Sequence, residues 1–147
     1  MPKPSQRGLL MPQSPIRKLA PLADKAKARG VKVFHLNIGQ PDLKTPQVAL
    51  DTLKNIDRTI LEYSPSDGFK SLRMKMLNYY SKFNIDLSIE DIIITTGGSE
   101  AVQFAFMSCL DPGDEIIVPG PAYANYTAFA IAAGAVVRPV VSTIEEG

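Results

Sequence analysis

A chain of 147 residues with 45% hydrophobic residues, 21% charged residues and a net charge of +1 has the make-up of a globular protein. Its 16 Lys and Arg are scattered among 15 Asp and Glu, which excludes the basic stripe of a nucleic-acid binder. The longest apolar stretch, residues 128–137, is broken by Gly134 and is too short to span a bilayer. Residues 1–14 contain Pro2, Pro4, Pro12 and Gly8 and read as a loose arm. Lys3 and Arg7 have no apolar run behind them, so no signal peptide is expected. Ser14-Pro15 can start a helical turn that Pro21 interrupts, and the firmer helix is residues 22–29, closed by Gly30. Residues 33–36 read as a short strand, in which the single histidine, His35, is a packed or partly exposed strand residue rather than a base. Thr45-Pro46 predicts a helix start, with Thr45 as cap and Val48, Leu50, Leu53 and Ile56 on one side.

Asp67-Gly68 opens the next helix, with Phe69, Leu72, Met76, Tyr79 and Phe83 at helical spacing and Asn84 at its end. Residues 92–95 form a β-branched run expected to be a buried strand. Gly97 and Gly98 break that run, and from Ser99 a helix begins with Ala101, Val102, Ala105 and Phe106 on one face. A strand that turns through Gly-Gly-Ser into a helix leaves backbone N–H groups unpaired at the positive end of the helix dipole. Such a turn can seat a phosphate, because Gly97 and Gly98 lack a Cβ and Ser99 adds a hydroxyl. Taken alone, the segment reads first as an ordinary strand–helix turn capped by Ser99. Cys109 falls on the apolar pattern of this helix, cannot form an internal disulfide, and reads as a core residue in a reducing compartment, the cytoplasm.

Asp111-Pro112-Gly113-Asp114 predicts a tight turn, residues 115–118 a strand, 122–133 a helix stopped by Gly134, and 135–141 another strand. Alternation of this kind implies an α/β fold with a mainly parallel sheet. Ile- and Val-rich strands call for cover on both faces, and this chain supplies too little of it. A fragment of a longer protein is therefore expected, with completion by a partner as the alternative. Nothing in the spacing suggests a metal site.

Four segments, in order, resemble the class I/II pyridoxal-phosphate aminotransferases. Gly39-Gln40-Pro41-Asp42 with Thr45-Pro46 resembles the family's G-x-P-D-x-x-T-P signature, and Tyr63 to Gly68 followed by Leu72-Arg73 resembles Y-x-P-x-x-G-x-x-x-L-R. Thr95 to Ala101 is similar to the strand–glycine–helix element that holds the cofactor phosphate. Asp111 to Asp114, the following strand and Pro121-Ala122-Tyr123 resemble the D-P-G-D…P-x-Y segment. The resemblance covers about residues 15–147. It implies the fold type I large domain, three-layered with a mostly parallel sheet and incomplete here. Residues 1–45 would be an arm, a helix and the start of a small domain, and residues 46–147 the first part of the large domain.

The resemblance further implies pyridoxal 5'-phosphate as cofactor and an amino acid with a 2-oxo acid as substrates. Gly97, Gly98 and Ser99 would hold the phosphate, and Tyr123 would stack on the pyridine ring, a contact of about 1 kcal/mol. Tyr63 would reach the phosphate of a neighbouring subunit, which implies a homodimer with shared sites, and Gly39 would meet the substrate carboxylate. Tyr126 has no assigned role. The family's cofactor-linking lysine has no counterpart here, so the chain holds no catalytic residue and is expected to be inactive alone. The remaining expectations are another reaction of the same fold type (a lyase or synthase) or a non-catalytic effector-binding module.

Overall fold

The computed structural model describes residues 2–145 and divides the chain into two units, Met1–Phe34 with Thr95–Gly147, and His35–Ile94. In the first unit Ser5 accepts the N–H of Gly8 at 3.1 Å and caps a short helix, α1 (Gln6–Leu10). The arm expected to be loose is thus partly helical. Pro21 does not interrupt the next helix but stands in the first turn of α2 (Ala20–Ala28), where its missing N–H costs nothing.

A βαβ element forms the rest of this unit. Helix α5 (Gly98–Cys109) leads into strand β1 (Glu115–Gly120), helix α6 (Asn125–Ala133) and strand β2 (Val136–Val141). The strands are parallel, in register from Glu115↔Val136 to Gly120↔Val141. Asp111–Asp114 makes the predicted turn: Asp114 N–H donates to the Asp111 carbonyl at 3.0 Å, and Asp111 N–H donates to the Asp114 carboxylate at 2.8 Å. Gly113 N–H in turn donates to the Gly134 carbonyl at 3.0 Å, which ties this turn to the left-handed end of α6, where Gly134 has φ 88°. Ala130 is fully buried, and Val118 and Ala135 join it in the core. Arg7 donates from Nη1 to the Ala132 carbonyl at 3.0 Å and holds α1 on the last turn of α6.

The second unit carries α3 (Gln47–Lys54) and α4 (Lys70–Ser81), with a 3₁₀ turn at Ile89–Asp91. Helix α3 starts one residue later than expected: Pro46 is its cap and makes no side-chain bond, so Thr45 does not cap it. Asn84 follows α4 in the left-handed conformation, φ 58°. The apolar face expected of α4 is not its buried one. Phe69, Leu72, Tyr79 and Phe83 are exposed, and the residue that α4 buries is Arg73. Arg73 forms an ion pair with Asp67 and donates to the Ile89 carbonyl. The same turn is tied again where Ile94 N–H donates to the Asp67 carbonyl at 3.0 Å. Gly68, at φ 95°, lies so close to Ile94 that any Cβ there would collide with that side chain. The Asp67-Gly68…Arg73 motif is therefore a clasp between the turn before α4 and residues 89–94.

Removing Arg73 should be costly. Taking one partner from a buried ion pair costs about 3–5 kcal/mol, and Asp67 is half exposed, so Arg73→Ala is expected to lose about 3 kcal/mol. A denaturant midpoint unchanged from the parent would show that the clasp contributes nothing.

Two expected strands are not formed among the described residues. Residues 33–36 and 92–95 join no strand ladder, although Ile92 is extended at φ −118° and ψ 121° and is buried, and Ile94 keeps its single backbone bond to Asp67. A strand exists only through its ladder, and the observed sheet contains β1 and β2 alone. His35 is accordingly an exposed residue of an irregular segment. Cys109 is exposed rather than core. The accessible area, 12946 Å², exceeds the roughly 7,400 Å² expected of a folded monomer of this mass. Leu22, Leu53, Leu61, Met107, Ile117 and Val141 are among the large apolar side chains left exposed. Among the described residues no helix is long and apolar enough to cross a membrane.

Candidate functional site

The Gly-Gly-Ser turn lies at the start of α5. Gly97 is its N-cap with φ 147°, a backbone conformation that L side chains rarely adopt. Gly98 follows as the first helical residue and has open space where a Cβ would stand. Glu100 and Ala101 N–H both turn back to the Gly97 carbonyl, at 3.1 and 3.2 Å. The N–H groups of Gly98 and Ser99 donate to nothing among the described residues, and neither does that of the cap residue Gly97. Helix α5 thus opens with two adjacent free donors at its positive end.

Side chains brace this turn on both sides. Thr95 donates from Oγ1 to the Gly97 carbonyl at 2.9 Å. The Glu100 carboxylate accepts both donors of Thr96, the backbone N–H at 2.7 Å and the hydroxyl at 2.9 Å. The Thr96 N–H, then its hydroxyl, hold the Glu100 carboxyl below its ordinary pKa. A carboxylate lowered on folding stabilises the fold above its unfolded pKa, and that contribution is lost as pH falls through the lowered value. The bracing is thus in force at neutral pH.

Across from the turn, Gly98, Ser99, Val102, Tyr123, Tyr126 and Phe129 line a cavity of about 310 Å³. The Tyr123 hydroxyl accepts from Asn125 Nδ2 at 2.7 Å, and its ring meets Tyr126 edge-on with centroids 5.5 Å apart. Of the residues singled out by sequence, Gly98, Ser99 and Tyr123 come together in this unit, with Gly97 adjacent. Tyr63 and Gly39 belong to the other unit, where Tyr63 is fully exposed and Gly39 has nothing within 4 Å of an added Cβ. Glu100, Asn125 and Tyr126 carry no assignment in the sequence reading. A Glu three residues beyond the Gly97 cap resembles half of a capping box, and that was the legible signal for Glu100.

The chain as a whole has known relatives. The profile of the "Aminotransferase class I and II" family matches residues 31–146. The chain belongs to that family. It is 39% identical over 124 residues to an aspartate aminotransferase of Pyrococcus horikoshii, covering 83% of this chain and 31% of that protein. It is 42% identical over 132 residues to a probable N-acetyl-LL-diaminopimelate aminotransferase of Bacillus subtilis, covering 87% and 32%. The crystal structure of the Thermotoga maritima aspartate aminotransferase superposes with a TM-score of 0.87 at 29% identity, covering 97% of this chain and 38% of that one. The alanine aminotransferase of Pyrococcus furiosus does so with 0.88 at 32% identity, covering 98% and 38%. The chain thus spans about a third of the length of these curated relatives. Class I and II aminotransferases are fold type I enzymes that use pyridoxal phosphate, and this α/β chain aligns with part of that fold.

Proposed function

We propose that these residues are the N-terminal part of a pyridoxal-phosphate-dependent aminotransferase and supply the phosphate-holding half of its site. One observation carries the reading: Gly98, Ser99 and Tyr123 line a single cavity, at a helix start whose two N–H donors are free. The residues fit the cofactor, since the open space at Gly98 is one that a Cβ would fill. When bound, pyridoxal phosphate supplies an electron sink for the substrate α-carbon. Gly98 and Ser99 would donate their N–H groups to its phosphate, the α5 dipole would favour the dianion, and the Ser99 hydroxyl would add a third bond. Gly97 makes the turn possible. The Tyr123 ring would lie on the pyridine, and Gly39 would meet the substrate carboxylate with its backbone. Tyr63, free of its own unit, would reach a neighbouring subunit's phosphate in a homodimer.

The complete protein would move an amino group from an amino acid to a 2-oxo acid in the cytoplasm. Residues 1–45 would belong to its arm and small domain, and residues 46–147 to its large domain. Further strands of a mostly parallel, three-layer sheet would pack in the apolar cleft of about 580 Å³ that Val102, Phe106, Ile117 and Tyr123 help to line.

Kinetics test the reading. The complete protein loaded with cofactor should give parallel double-reciprocal plots, with one 2-oxo acid formed per amino acid consumed. Elimination or condensation products instead would assign it to the lyases or synthases of the fold type. The 147-residue chain alone should turn over no amino acid and 2-oxo acid pair, and borohydride should fix the cofactor to no single lysine. Turnover by that chain with one lysine labelled stoichiometrically would overturn the division of the site.

A further inference from the structure

We infer that Glu100 is a positioning residue of the phosphate cradle, one that sets the turn so that the Gly98 and Ser99 donors are left for the cofactor. The inference rests on the phosphate reading above and adds to it a residue that never touches the ligand. One carboxylate oxygen, Oε2, takes both the N–H and the hydroxyl of Thr96, at 2.7 and 2.9 Å. Those bonds fold the chain back over the first turn of α5, with Gly97 between Thr96 and the helix at φ 147°. Thr95 clamps the Gly97 carbonyl from the other side at 2.9 Å.

The consequence for an anion is specific. Beyond the equally unbonded Gly97 N–H, the next donors belong to Thr96, and Glu100 occupies both of them, so a phosphate meets the N–H groups of residues 97–99 and no competing site before them. A turn through a glycine, free to leave φ 147°, does not hold itself, and a loose one would have to be ordered at the expense of binding. The carboxylate also lies within the first turn of α5, where a free negative charge would repel a phosphate. Two hydrogen bonds turn it toward Thr96 instead.

Because a single oxygen makes both bonds, glutamine can reproduce them with its amide oxygen and alanine cannot. In the complete cofactor-loaded protein, Glu100→Ala should weaken pyridoxal phosphate binding about five- to tenfold, the size of losing one capping interaction. The ³¹P resonance of the bound cofactor should shift with it. Glu100→Gln should restore both the affinity and the resonance. Thr96→Val, which removes the hydroxyl alone at an exposed position, should give a smaller loss of about threefold. It keeps the test decisive where the alanine variant does not fold. Ser99→Ala serves as the control on the phosphate reading. If Ser99→Ala weakens binding and neither Glu100→Ala nor Thr96→Val does, the positioning role is wrong and the cradle stands. If none of the three changes affinity, the phosphate reading falls and the inference falls with it. A loss that glutamine does not restore would assign the effect to charge and overturn positioning. A lowered melting temperature with unchanged affinity and ³¹P resonance would reduce Glu100 to a structural cap.

Discussion

Gly98→Val should all but abolish cofactor binding by the complete protein while leaving its fold intact. The isopropyl group would occupy the open space in front of the two free donors. Hydrogen bonds to a charged group contribute about 1.5–3 kcal/mol each, so losing two predicts a loss of roughly 100- to 10,000-fold in affinity. Gly98 lies in ordinary helical backbone with nothing within 4 Å of the new Cβ, so the cofactor-free protein should melt close to the parent temperature. Gly97→Ala is the contrast. Its cost arises from φ 147° and should appear as lost stability before any ligand is added. Equilibrium titration with pyridoxal phosphate, beside thermal melts without it, separates the two glycines. A Gly98→Val protein that binds as tightly as the parent would sink the phosphate assignment.

Activity should reappear when two inactive variants of the complete protein are mixed, one with Tyr63→Glu and one lacking the cofactor-linking lysine. A two-fold dimer with Tyr63 reaching across has two composite sites. In a mixed dimer, one site takes its tyrosine from the lysine-less subunit and keeps its own lysine, so it is whole, and the other carries both defects. Recovery toward one working site per mixed dimer is expected, from a background near zero. Tyr63→Phe removes one hydrogen bond and should weaken cofactor binding only modestly, leaving the dimer intact. No recovery, with subunit exchange shown independently, would mean that Tyr63 acts within its own subunit or not at all. Its complete exposure in this chain motivates the test.

Whatever depends on neighbours within a few residues was legible in the amino-acid order. The Asp111–Asp114 turn, the stop of α6 at Gly134, the left-handed Asn84 and the approximate spans of α4, α5, β1 and β2 all follow from turn chemistry and periodicity. The aminotransferase motifs were legible as well, and with them Gly98, Ser99 and Tyr123, which now line one cavity. Contacts between distant residues were not. Residues 92–95 carry a strand's composition without a strand's ladder, because a ladder needs a partner that local sequence cannot name. The helical spacing of Phe69, Leu72, Tyr79 and Phe83 marks an apolar face, yet the burial on α4 goes to Arg73, whose partners Asp67 and Ile89 lie outside the helix. Likewise a glycine at 68 reads as a turn, while its close approach to Ile94 is visible only once residues 26 positions apart are brought together. Local amino-acid order was enough for the approximate elements and for the glycine turn that opens α5. Tertiary structure alone decided which of those residues meet, because burial and long-range pairing are properties of the assembled surfaces and not of any one segment.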